Sequence, residues 1–178
     1  MSAVAHQTQS ETLQVFDVPE IRAVDNYMSS LGSAAQLADV PELEKAARLL
    51  RRSLTSAKKA GCVLDYAALE ARARIIQREG YIASVDRQME RAEKRAAKGD
   101  SAEAEASIAR MEEYAHKARE LGCIVVIDTA RIEAITAHAK ALGIQNADRD
   151  RVIHEHLNKV GGAFLALYDA ATGGKDTL

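Results

Sequence analysis

Tryptophan is absent from this sequence, proline occurs twice, and the aromatic share is only 4%. Few residues can therefore break a helix, and a core must be built from small aliphatic side chains rather than large rings. No apolar run approaches the roughly 18 residues of a bilayer-spanning helix, so no membrane span is expected. The first 16 residues carry neither a basic n-region nor an apolar h-region, so no Sec-type signal is expected. Two cysteines without such a signal make a reduced, cytoplasmic chain the expectation. The Ser/Thr/Gln-rich start stays compatible with a signal-peptide-independent export route.

Chemical motifs are missing as well. There is no Gly-x-Gly-x-x-Gly, no Walker loop and no Gly-x-Ser-x-Gly, so neither a phosphate cradle nor a nucleophile elbow can be drawn. No catalytic residue and no cofactor is assigned, and a non-enzymatic protein is the expectation. Cys62 and Cys123 lack metal-ligand spacing. They read as two buried small hydrophobes.

Helix formers dominate what is present. Hydrophobic residues make up 47% and charged residues 28%, with Ala, Leu, Glu, Lys and Arg in the lead. One phrase occurs twice: Gly61-Cys62-Val63-Leu64-Asp65, closed by Gly80, returns as Gly122-Cys123-Ile124-Val125-Val126-Ile127-Asp128, closed by Gly143. Each letter has a structural use. Glycine supplies the left-handed conformation that ends a helix. Aspartate caps the next helix, and the pairs Leu64 with Leu69 and Ile127 with Ile132 are spaced as hydrophobic staples. The apolar residues between are expected as buried connectors. Gly80 and Gly143 are expected to be helix stops, as is Gly32.

Asp17-Val18-Pro19-Glu20 and Asp39-Val40-Pro41-Glu42 both read as helix starts with a proline in the first turn. Leu43, Ala46 or Ala47, Leu50, Leu54 and Ala57 form one helical stripe. Ile82, Val85, Met89, Ala92 and Ala96 follow a 3-4-3-4 spacing, repeated by Ala104, Ile108, Met111, Ala115 and Ala118 beyond Lys98-Gly99-Asp100. That pattern describes an antiparallel helical hairpin with coiled-coil-like seams. Ile153, Leu157, Val160, Phe164 and Leu167 continue the spacing on the last helix, which Gly161-Gly162 interrupts.

The expected fold is all-α: an antiparallel helical bundle or short α-hairpin array of about seven helices with an internal two-fold sequence repeat. Residues 17–172 form a single helical domain, with repeat copies near 43–80 and 104–143. Residues 1–16 are expected as a flexible arm and 173–178 as a flexible tail.

Net charge is −2, unevenly spread: −5 over residues 1–42, +7 over 43–98 and −4 over 99–178. The basic segment supplies the candidate partner-binding residues Arg48, Arg51, Arg52, Arg72, Arg74, Arg78, Arg87, Arg91, Lys94, Arg95 and Lys98. Arg87, Arg91, Lys94 and Lys98 share a face that could track phosphates. Glu79, Glu90 and Glu93 are interleaved with it, and self-pairing on a solvated helix face is the competing explanation.

Glu113-Tyr114-Ala115-His116 is a Glu-x-x-His, the half-motif of di-iron bundles. The matching place in the other copy reads Arg52-Ser53-Leu54-Thr55, so the partner half is missing. Glu113 and His116 are thus weak metal candidates, and no metal site is assigned. His154 and His156 stand about 200° apart around a helix and cannot share an ion.

The function expected from these features is that of a non-enzymatic helical interaction or assembly module, holding a protein partner: an adaptor, an effector or a component of a larger machine. The alanine-rich seams can close within the chain or across a homo-oligomer. Nucleic-acid or anionic-surface binding through residues 43–98 is the alternative, and a helical metal-dependent protein is a second.

Overall fold

Four joints connect five helices, and all four are made of the same two pieces. The computed structural model describes residues 18–172. In order, α1 spans Pro19–Gln36, α2 Val40–Lys59, α3 Tyr66–Ala96, α4 Ser101–Glu120 and α5 Thr129–Thr172, with no strand among the described residues. The arm expected over residues 1–16, the cap at Asp17 and the tail over 173–178 lie outside the described residues.

Each joint begins with a residue in the left-handed region. These are Ala38 (φ 47°), Gly61 (76°), Gly99 (74°) and Gly122 (85°). The next backbone N–H donates to the carbonyl five residues back: Asp39 to Ala34, Cys62 to Ala57, Asp100 to Arg95 and Cys123 to Ala118, at 3.0–3.1 Å. This bond satisfies a carbonyl that the end of a helix leaves unpaired. The second piece is an aspartate. The carboxylates of Asp39, Asp65, Asp100 and Asp128 accept from the N–H groups of Glu42, Ala68, Glu103 and Arg131 at 3.0–3.2 Å. Each caps the helix that follows.

In two joints the left-handed residue and the aspartate are adjacent. In the other two an apolar connector separates them: Cys62–Leu64, or Cys123–Ile127. Joint chemistry alone accounts for the phrase that occurs twice.

Seven expected helices become five because two glycines do not stop a helix. α3 runs through Gly80 and α5 through Gly143. Both mark close backbone approach instead. A Cβ on Gly80 would lie 2.8 Å from Leu43 Cδ2 and 3.1 Å from Ala35 Cα, while one on Gly143 would lie 2.9 Å from the carbonyl oxygen of Gly99. Gly32 is also interior: α1 continues to Gln36 and ends at the left-handed Ala38. The Gly161-Gly162 pair leaves α5 unbroken.

The connectors are not buried either. Their side chains alternate between half-buried and exposed, as extended backbone requires. Val63 is 97% exposed and Ile124 95%, whereas Ile127 packs on a core with Ile132, its staple partner. Cys62 and Cys123 are free thiols, half-buried rather than buried.

Two compact units make up the chain, one from the residues up to Ser84 together with Lys117–Cys123, the other from Val85–His116 and Ile124 onward. In the first, Val24, Met28 and Leu31 of α1 and Leu43, Leu50 and Leu54 of α2 are buried, with Tyr81 of α3 and Ala118 of α4. The expected α2 stripe is buried throughout. In the second, Met89, Ala92 and Ala96 of α3 share a cluster with Ala104, Ile108 and Met111 of α4 and with Ile135 and Ala139 of α5. The hairpin seams meet as their spacing predicts, except that Ile82 is exposed.

Substituting alanine for glycine separates the two glycine roles. Gly32→Ala, with open space around the new methyl, is expected to stabilise by about 1 kcal/mol through helix propensity. Gly143→Ala is expected to destabilise, because the atom it meets is backbone. Ala38→Gly is expected to stabilise by about 1 kcal/mol by relieving the left-handed alanine. Urea unfolding midpoints of the three variants check these signs.

Candidate functional site

The basic residues of segment 43–98 fall in different surroundings. In the first unit, Arg51 and Arg74 rim a groove of about 250 Å³ between α2 and α3, floored by Ala47, Leu50, Leu54 and Ala73. Glu70 and Gln77 share the lining. Arg51 and Arg52 also line a shallower neighbouring depression with Lys59. Arg48 and Arg72 are exposed. Arg78 is held in a structural role, since its Nε donates to the Leu121 carbonyl at 2.5 Å and its guanidinium lies beside Gly122. It therefore caps the C-terminal end of α4. Arg87, exposed on α3, belongs to the second unit.

The remaining candidates meet in one place. Arg91, Lys94, Arg95 and Lys98 of α3 line a depression of about 370 Å³ with Glu103, Ser107 and Arg110 of α4. Lys94 reaches Glu90 at 3.6 Å and Arg95 reaches Asp100 at 3.5 Å, both long for an ion pair. Among the described residues, no carboxylate pairs with Arg91, Lys98 or Arg110. Ser107 is 3% exposed as a residue, and the buried side-chain polar atom without a partner among the described residues is Gln88 Oε1, outside this lining.

Ser107 and Arg110 lie outside the basic segment read from sequence. The hairpin spacing holds the signal that finds them, since a turn at Gly99 pairs Ala96 with Ala104 and Ala92 with Ile108. By the same count Arg91 falls beside residues 109 and 110.

The metal candidates do not gather. Glu113 and His116 are exposed on α4, and His154 and His156 are exposed on α5. Among the described residues no group of three or more His, Cys, Asp or Glu side chains could hold an ion.

One polar cluster in the first unit ties three helices together. Lys117 Nζ of α4 donates to Glu44 Oε1 of α2 at 2.7 Å, and Tyr81 Oη of α3 donates to the same oxygen at 3.2 Å. The Lys117 hydrogen bond holds the Glu44 carboxyl below its ordinary value, against the opposing pull of desolvation. Burial, then the Glu44 charge, pushes Tyr81 up to about 12.

The far half of α5 presents a run of exposed apolar side chains. Every described side chain from Ala147 to Leu167 is exposed. These include Ile153, Leu157 at 62%, Val160, Phe164 at 67% and Leu167 at 71%. The five repeat at 4-3-4-3 intervals and so form one stripe along the helix. Gly161 and Ala163 flank it on either side, and a Cβ on Gly161 or Gly162 would meet nothing within 4 Å. Among the described side chains of α5, those that enter a core are Ile132, Ile135 and Ala139 of its first turns.

Compared with known proteins, the chain matches no family model, and no curated protein or solved structure is significantly similar to it. No helix among the described residues is long and apolar enough to cross a membrane.

Tyr81 gives a pH prediction. A tyrosine whose folded pKa is raised contributes stability that is present below its ordinary value of 10.0 and is lost as pH rises toward about 12. Tyr81→Phe keeps the buried ring, costs about 1 kcal/mol at neutral pH and flattens the alkaline loss. Urea midpoints measured across pH 9–12 check it.

Proposed function

We propose that this chain is a non-enzymatic helical assembly module that docks a partner helix along the far half of α5, and that a second copy of the chain is the partner. The observation that supports this is the uncovered stripe Ile153, Leu157, Val160, Phe164 and Leu167. Seam spacing of this kind is the pattern by which one helix packs along another, each side chain filling a gap between four on the facing helix. It supports a helical partner over a flat or irregular one.

The flanks support a copy. Between His154 and Leu167 the positions beside the stripe hold His154, His156, Gly161 and Ala163. No Lys, Arg, Asp or Glu stands there to oppose its own counterpart across a two-fold axis. The small pair Gly161 and Ala163 lets a second backbone come close at the middle of the stripe. Each large apolar side chain removed from water contributes roughly 1.5–3 kcal/mol, so five on each helix outweigh the ordering that association requires.

Sedimentation velocity on the full chain over a wide concentration range is the test. The expected result is a concentration-dependent dimer, abolished by Phe164→Glu or Leu157→Glu with the fold intact by circular dichroism. A chain that stays monomeric at the highest concentration overturns the reading.

A further inference from the structure

The geometry points to a second binding site, independent of α5: the depression between α3 and α4 binds an oligoanion through its phosphate groups. Five cations converge there, from Arg91, Lys94, Arg95, Lys98 and Arg110, against one lining carboxylate, Glu103. Part of this has an internal explanation. Lys94, Arg95 and Lys98 stand in or just beyond the last turn of α3, where cations offset the negative end of the helix dipole. That explanation does not reach Arg110, in the middle of α4, or Arg91, which stands before the last turn of α3. Five cations facing one depression with a single carboxylate among them repel, and an anion placed there adds an attraction to each that offsets the repulsion.

Ser107 points the same way. It lines the depression, where its hydroxyl adds a hydrogen-bond donor among the cations. A phosphate oxygen is a strong acceptor for that hydroxyl as well as for the guanidinium groups around it. None of the seven lining residues is aromatic, so bases have no stacking surface and the recognised group is the phosphate itself. The groove beside Arg51 and Arg74 differs in this respect, with an apolar floor and Glu70 inside it.

Two sources carry this chemistry, a nucleic-acid backbone and a free polyphosphate. Titration of the full chain with a fluorescently labelled single-stranded DNA oligonucleotide, and separately with inorganic triphosphate by calorimetry, distinguishes them. Binding of the oligonucleotide with a salt-dependent affinity assigns the site to a phosphodiester chain, and binding of triphosphate alone assigns it to a compact ligand. For whichever probe binds, Arg91→Ala and Arg110→Ala are each expected to weaken affinity about tenfold. Ser107→Ala is expected to weaken it severalfold. Arg149→Glu, on the exposed part of α5, controls for general charge. The proposal is overturned if neither probe binds at low salt. It is equally overturned if Arg110→Glu weakens binding no more than Arg149→Glu does. Both arginines are exposed, so the variants leave the hairpin core intact, and helicity by circular dichroism checks this.

Discussion

Everything in this fold depends on ending a helix and starting the next within a few residues. A helix leaves carbonyls unpaired at its last turn and N–H groups unpaired at its first. A left-handed residue turns the chain so that the next N–H reaches back to a free carbonyl, and an aspartate then covers an N–H ahead. Ala38, Gly61, Gly99 and Gly122 do the first job. With those groups satisfied locally, core residues need only supply shape, which explains how alanine-rich seams suffice. The hairpin between α3 and α4 brings Ala92, Ala96 and Ala104 to zero or near-zero exposure.

Much of this is legible from spacing. The α2 stripe, the α4 seam and the caps at Asp39, Asp65 and Asp128 follow from periodicity and from the residue types that cap helices. Gly80 and Gly143 mislead because glycine has two uses and the letter does not say which. It permits a left-handed turn, and it permits close approach. Only a three-dimensional neighbour distinguishes the two: Leu43 and Ala35 beside Gly80, the Gly99 carbonyl beside Gly143. Ala38 escapes notice for the opposite reason, since a left-handed alanine announces nothing. The connectors suggest burial through their apolar content, yet an extended segment turns alternate side chains outward, and Val63 and Ile124 go with them.

The candidate surfaces divide by chemistry. The α5 stripe is apolar with small, mostly uncharged flanks, suited to another helix. The depression between α3 and α4 is cationic without aromatics, suited to phosphate oxygens. The first is legible as a spacing, but its lack of cover is not, because periodicity cannot say whether a face finds a neighbour. The second needs Ser107 and Arg110, which only the hairpin register places beside the basic helix.

Gly161 and Gly162 sit side by side in α5 with open space around them, and this pair gives the far half of the helix an unusual dependence. Each costs about 1 kcal/mol of helix stability relative to alanine, and no core residue nearby compensates. A helix packed along the stripe would therefore reinforce the winding of this stretch as well as cover its apolar side chains.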